Sequence, residues 1–178
     1  MAAKPILYSY WRSSCSWRVR AALELKGIEY ECKTINLVEN DQVAKEYLRM
    51  NPVGYVPTFV HKNAVIFESL AILEYLEEAF PDRQALLPKD PIGRATVRAI
   101  ALQIIAGIQP LQNLKVLKTI NADYGGPSAR ASWAIRWIER GFEGLEKHLE
   151  KTSGKYCYGD EITIADVCLV PQVYNAKR

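Results

Sequence analysis

Ile6-Leu7-Tyr8-Ser9-Tyr10-Trp11-Arg12-Ser13-Ser14-Cys15-Ser16-Trp17-Arg18 decides how the chain is read. Ile6 to Tyr10 has the apolar and aromatic content of a strand, and the periodic segment from Ser14 to Lys26 reads as a helix that Gly27 ends. A strand running through a hydroxyl-rich turn into a helix is the first half of an α/β unit. Downstream, Tyr30 to Leu37 alternates as a second strand, and Asp41 to Arg49 reads as a short polar helix. Thr58 to His61 and Ala64 to Phe67 form a hairpin across Lys62-Asn63, and a helix from Ser69 to Ala79 closes the half. The order βαβαββα implies a mixed sheet.

Pro81, Pro88 and Pro91 then punctuate a short stretch, after which no strand pattern returns. Apolar residues at Val97, Ile100, Ile104, Ile108, Leu111 and Leu114 mark a helix over Arg94 to Ile120, with Gly107 and Pro110 as bend points. Trp133, Trp137, Phe142, Leu145 and Leu149 mark another over Ala129 to Glu150, and a last one starts near Thr163. The expected architecture is an α/β domain over residues 1–80, a linker over 81–90 and an all-helical bundle over 91–178.

Composition narrows the function classes. In 178 residues, 23 basic side chains face 20 acidic ones, a net charge of +3, and Met1 to Phe80 carries −1 against +4 for the remainder. This is no strongly basic nucleic-acid binder. Cys15, Cys32, Cys157 and Cys168 lack C-x-x-C spacing and only His61 and His148 could join them, so no zinc site is expected. The apolar runs read as shorter than the roughly 20 residues of a membrane span. Without a secretory signal pattern, free thiols imply a soluble protein in a reducing, cytoplasmic setting.

Four local features could carry chemistry. Ser13-Ser14-Cys15-Ser16 opens the first helix, where hydroxyls serve as caps but open amides and the helix dipole also favour an anion such as a thiolate. In Asn51-Pro52-Val53-Gly54-Tyr55-Val56-Pro57-Thr58, Pro57 marks a strand start. A cis Val56-Pro57 bond would turn the Val56 backbone outward to clasp an extended peptide, and the residues alone leave both readings open. Phe67-Glu68-Ser69-Leu70 starts a helix with Ser69 in the N-cap position but no acid at N3, leaving its amides to water or to a ligand carboxylate. Ile162-Thr163-Ile164-Ala165-Asp166-Val167 reads as a short-chain capping box with structural work for Asp166.

These motifs, with Gly107-Ile108-Gln109-Pro110-Leu111-Gln112-Asn113-Leu114, Gly159-Asp160 and Val170-Pro171-Gln172-Val173, resemble the cytosolic glutathione S-transferases, and the Ser-Ser-Cys run resembles their zeta class. The resemblance implies a thioredoxin-like N-terminal domain that holds glutathione and a helical domain that supplies the second-substrate pocket, usually in a homodimer. By position it implies that Ser14 hydrogen-bonds the glutathione sulfur with Ser13 and Cys15 beside it. Val56, before a cis Pro57, would clasp the cysteinyl backbone, Glu68 and Ser69 would hold the γ-glutamyl end, and Gln109 and Asn113 would face the site. Arg178 aligns with a family arginine that meets an anionic group. The family continues past the equivalent of Arg178 into further helices, so the last helices of the bundle are expected to be missing here.

The implied reaction is glutathione-dependent cis–trans isomerisation of maleylacetoacetate to fumarylacetoacetate, in tyrosine and phenylalanine catabolism, with glutathione transferase activity. The substrate is a small anionic keto-acid, for which Arg12 and Arg18 are candidate steering groups. A free thiol is only about 3% ionised at pH 7, so a donor hydroxyl and a helix N-terminus that favour the anion have a clear task. Two other classes fit the same fold: a monothiol thiol–disulfide enzyme using Cys15, since residues 12 and 18 are both Arg, and a non-catalytic glutathione-binding module.

Overall fold

The computed structural model describes residues 4–177. The chain forms two compact units, Met1–Leu86 and Leu87–Arg178. The first begins with strand β1 (Ile6–Ser9), helix α1 (Ser14–Leu25) and strand β2 (Glu31–Thr34). A 3₁₀ turn (Asp41–Val43), helix α2 (Lys45–Met50), strands β3 (Thr58–His61) and β4 (Ala64–Phe67) and helix α3 (Ser69–Ala79) follow. The sheet order is β2-β1-β3-β4, with β1 parallel to β2 and antiparallel to β3, and β3 antiparallel to β4. This is the mixed βαβαββα unit expected from the sequence. The hairpin turns at Lys62 and Asn63, both at positive φ (47° and 66°), as a two-residue connection matched to strand twist requires.

Two expectations shift. The second strand ends at Thr34 rather than Leu37, because the Asp41 carboxylate takes the Asn36 N–H (2.8 Å) and the Asn36 side chain takes the Val38 N–H (3.1 Å). That local turn competes with further pairing. The polar helix is divided at Ala44, whose ψ of 145° separates the 3₁₀ turn from α2.

The core of this unit holds Leu7, Val19, Leu23, Phe59, Ile72, Leu73 and Leu76 at 1% exposure or less. Below it, Lys26 Nζ meets Glu77 Oε1 at 2.7 Å and donates to the Gln84 carbonyl, while both Glu77 oxygens accept from the Leu86 N–H. The stretch read as a linker is thereby tied to α1 and α3 as far as Leu86.

The second unit contains α4 (Pro91–Leu102), a π-helical turn (Gln103–Ile108), a 3₁₀ turn (Gln109–Gln112), α5 (Leu114–Asp123), α6 (Gly126–Thr152) and α7 (Ile164–Ala176). The single helix expected over Arg94 to Ile120 is thus four segments. Its start moves to Pro91, a residue whose missing N–H costs nothing in a first turn, and the Asp90 carboxylate caps it by accepting from the Gly93 N–H at 2.7 Å. Trp133 Nε1 donates to the Leu111 carbonyl and fixes the 3₁₀ turn against α6. Gly141 lets α6 close on the π turn, since any side chain there would collide with Ile108. Among the described residues one helical run, Pro91–Asp123, does reach membrane-span length and apolarity, contrary to expectation. Its Val97, Ile100, Ala101, Ile104 and Ile108 are buried in the protein.

Candidate active site

Three backbone features meet at one end of the strands. Tyr8, one residue before the end of β1, pairs with Thr58 at the start of β3, and Thr58 pairs with Phe67 at the end of β4. The β1–α1 turn, the Val56-Pro57 bond and the Glu68-Ser69 step into α3 therefore lie side by side.

At the first of these, the hydroxyls divide their tasks. Ser13 is the N-cap, accepting from the Ser16 N–H at 3.1 Å, and Ser16 Oγ accepts from the Tyr10 N–H. Ser14 is the first helical residue and only 5% exposed, and no hydrogen bond among the described residues uses its hydroxyl. Its hydroxyl and the Ser14 and Cys15 amides, which have no partner among the described residues, remain for an anion. Cys15 is half-buried with a free thiol. Arg20 holds the turn from behind, with Nη1 donating to Ser9 Oγ (2.7 Å) and to the Tyr10 carbonyl, and Nη2 to the Trp11 carbonyl.

The second feature has the cis bond at Val56-Pro57. A directional network holds it. Tyr47 Oη donates to the Tyr55 carbonyl (2.6 Å), the Thr58 hydroxyl donates to Tyr47 Oη (2.7 Å), and Asn51 Nδ2 donates to Thr58 Oγ1 (2.8 Å). Asn51 and Thr58 are fully buried, and burial pushes the Tyr47 phenol up from its ordinary value, so it stays a donor. No hydrogen bond among the described residues uses the Val56 backbone. Sequence reasoning missed Tyr47 and the bonding of Asn51 and Thr58; the Asn51-Pro52 step was their only trace.

The third feature corrects the reading of Ser69. Glu68, not Ser69, occupies the N-cap position, at φ 70° and ψ 117° and without a side-chain cap. A left-handed φ on a glutamate is a strained conformation of the kind that clusters at functional sites. Ser69 is the first residue of α3, 3% exposed, and its Oγ accepts from Arg18 Nη1 at 3.1 Å. Arg18 itself is fully buried and reaches Cys15 Sγ with the same nitrogen at 3.6 Å. It therefore has no surface from which to steer a substrate. Arg12 is exposed and lies over the Trp11 ring, 5.5 Å from its centroid.

In the second unit, Gln109 is half-buried in the 3₁₀ turn, and Asn113 caps α5 by accepting from the Lys115 N–H at 3.0 Å. Arg178 lies outside the described residues. Asp166 does the structural work expected of it: its carboxylate accepts from the Thr163 N–H and hydroxyl and from the Cys157 N–H, all at 2.8–2.9 Å. Burial and the Asp166 carboxylate push the Cys157 thiol far up, which makes it inert as a nucleophile.

The fit to a γ-glutamyl tripeptide rests on donors that have no partner among the described residues: the Ser14 hydroxyl, the Ser14 and Cys15 amides, and the first-turn amides of α3. The comparisons agree. Residues 3–78 match the family described as glutathione S-transferase, N-terminal domain. The mouse maleylacetoacetate isomerase is 54% identical over 179 residues, covering 99% of this chain and 80% of that protein. A maleylacetoacetate isomerase from Anaeromyxobacter dehalogenans, solved with glutathione bound in its active site, superposes with a TM-score of 0.88 at 40% identity, covering 100% of this chain and 83% of that one. A zeta-class maleylpyruvate isomerase holo structure gives 0.91 at 38% identity, covering 97% and 82%.

Proposed function

The chain belongs to the glutathione S-transferase family, in its zeta-class branch of maleylacetoacetate isomerases, and from that premise we propose that it converts maleylacetoacetate to fumarylacetoacetate with glutathione as cofactor, and also has glutathione transferase activity. The observation that carries this reading is 54% identity sustained over 99% of the chain. When bound, glutathione would supply a thiol able to add reversibly to the cis double bond, chemistry that would not consume it.

The residues of this chain act on that thiol and on the rest of the tripeptide. Ser14 donates to the sulfur and, with the first-turn amides of α1, favours its anionic form. Ser13 and Cys15 flank it. The Val56 backbone, held by the network through Tyr47 and Asn51, clasps the cysteinyl unit as a neighbouring strand would. Ser69 and the amides of α3 take the γ-glutamyl carboxylate and Glu68 its ammonium group. The family resemblance also assigns Gln109 and Asn113 to the glutathione site and Arg178 to the anionic keto-acid. In this reading the first unit is the glutathione-binding domain and the second the substrate domain of a cytoplasmic homodimer in tyrosine and phenylalanine catabolism.

The deciding experiment follows maleylacetoacetate isomerisation by the purified chain with and without glutathione. Turnover that requires glutathione but does not deplete it supports the proposal. Retention on immobilised glutathione without turnover would leave only a binding module.

A further inference from the structure

Arg18 is the one residue of the site whose environment the assigned roles do not explain. Its guanidinium is fully buried, yet Nε and Nη2 have no hydrogen-bond partner, and among the described residues no carboxylate pairs with it. Arginine remains protonated in proteins, so this is a buried, uncompensated positive charge, which folds retain only where something offsets it. Its one engaged nitrogen, Nη1, points to two anion-receiving elements at once, Ser69 Oγ at the start of α3 (3.1 Å) and Cys15 Sγ in the first turn of α1 (3.6 Å).

The direction of the Ser69 bond matters. A guanidinium can only donate, so Ser69 Oγ accepts from it, and the hydroxyl proton is left to donate elsewhere. Polarised by the charge behind it, that O–H is a stronger donor toward an anion. The strained Glu68 step into α3 presents the open first-turn amides beside it.

We propose that Arg18 is a positioning residue for the cofactor: from behind the α3 N-terminus it commits Ser69 Oγ to donate outward and supplies the charge that the γ-glutamyl carboxylate of glutathione meets. This rests on the assignment of glutathione to the site, and it adds a residue that touches the tripeptide only through Ser69. It also joins the two ends of the site, because the side chain that orders Ser69 reaches the turn that carries Ser14.

The test compares two peptides by calorimetry on the full chain: glutathione, and 4-aminobutanoyl-cysteinyl-glycine, which lacks only the γ-glutamyl carboxylate. Arg18→Met is expected to weaken glutathione by about 10- to 100-fold, the scale of a lost charge-assisted donor, and the descarboxy peptide by less than about threefold. Equal weakening of both peptides would mean that Arg18 merely supports the fold, and would overturn the proposal. Should the methionine variant not fold, the wild-type Arg18 Nε–H resonance, assigned by its absence in Arg18→Lys, distinguishes the same two outcomes. It should move on adding glutathione and stay in place with the descarboxy peptide; equal movement with both overturns the inference. A wild-type chain that isomerises with glutathione while failing either comparison loses the Arg18 role alone. One that neither binds glutathione nor isomerises loses the functional reading as well.

Discussion

Helices α3 and α7 both start at a buried hydroxyl residue, and the two starts are finished in opposite ways. At α7, Asp166 returns to Thr163 N and Oγ1 and also gathers Cys157 N, so one carboxylate closes the turn and pins the preceding loop. At α3 there is no cap: Glu68 sits at positive φ, and Ser69 Oγ faces a buried arginine. The first helix, α1, lies between these cases, because Ser13 closes it while Ser14 stays unbonded. A closed start spends its polar groups on the fold, and an open one keeps them for a ligand. If that distinction holds, substitutions at the two kinds of start should separate activity from stability.

The largest separation is expected at Ser14. Ser14→Ala removes the proposed donor to sulfur and should lower glutathione-dependent turnover by about 10- to 1000-fold. Since the hydroxyl has no partner among the described residues, the melting temperature should stay within about 2 °C of wild type. Cys15→Ala should cost less activity. Near-total loss with Cys15→Ala, together with a trapped mixed disulfide in the wild-type protein, would transfer the chemistry to the cysteine.

Asp166→Ala should show the reverse. It strands Cys157 N and Thr163 N in a buried site, a loss of about 2–4 kcal/mol of stability, visible as a lower urea midpoint. Glutathione affinity should change by less than about twofold. A change in affinity larger than the change in stability would erase the contrast between open and closed starts.

How far this contrast was legible beforehand differs by residue. The hairpin and α3 were readable because Thr58 to His61 and Ala64 to Phe67 flank a two-residue turn, and apolar periodicity resumes at Ser69. The Asp166 cap was also readable, since donor and acceptor lie three residues apart. Arg94 to Ile120 misled because Ile104, Ile108 and Leu111 keep a helical spacing while the backbone widens into a π turn and then tightens into a 3₁₀ turn. Spacing alone does not register that change. Ser13, Ser14 and Ser16 are alike in sequence, and only the folded turn assigns the cap to the first and leaves the second free. Arg18 was the least legible, because an arginine near a helix start reads as a solvated charge until a partner 51 residues away covers it.

The smallest effect, and the most discriminating, concerns Glu68. A non-glycine residue at φ 70° carries about 1–3 kcal/mol of backbone strain, whereas glycine adopts that φ without a Cβ clash. Glu68→Gly removes the strain but also loosens the unfolded chain by about 0.5–1 kcal/mol, so the net expectation is a gain of about 1 kcal/mol in stability. The same variant deletes the carboxylate assigned to the γ-glutamyl ammonium and should bind glutathione more weakly. Glu68→Gln separates the two contributions: it keeps the strained backbone and loses the charge, so it should match wild type in stability and the glycine variant in affinity. An open start that is strained for the ligand's sake must gain stability as it loses binding. If Glu68→Gly instead melts lower than wild type with its glutathione affinity intact, the glutamate side chain is serving the fold, and α3 belongs with α7.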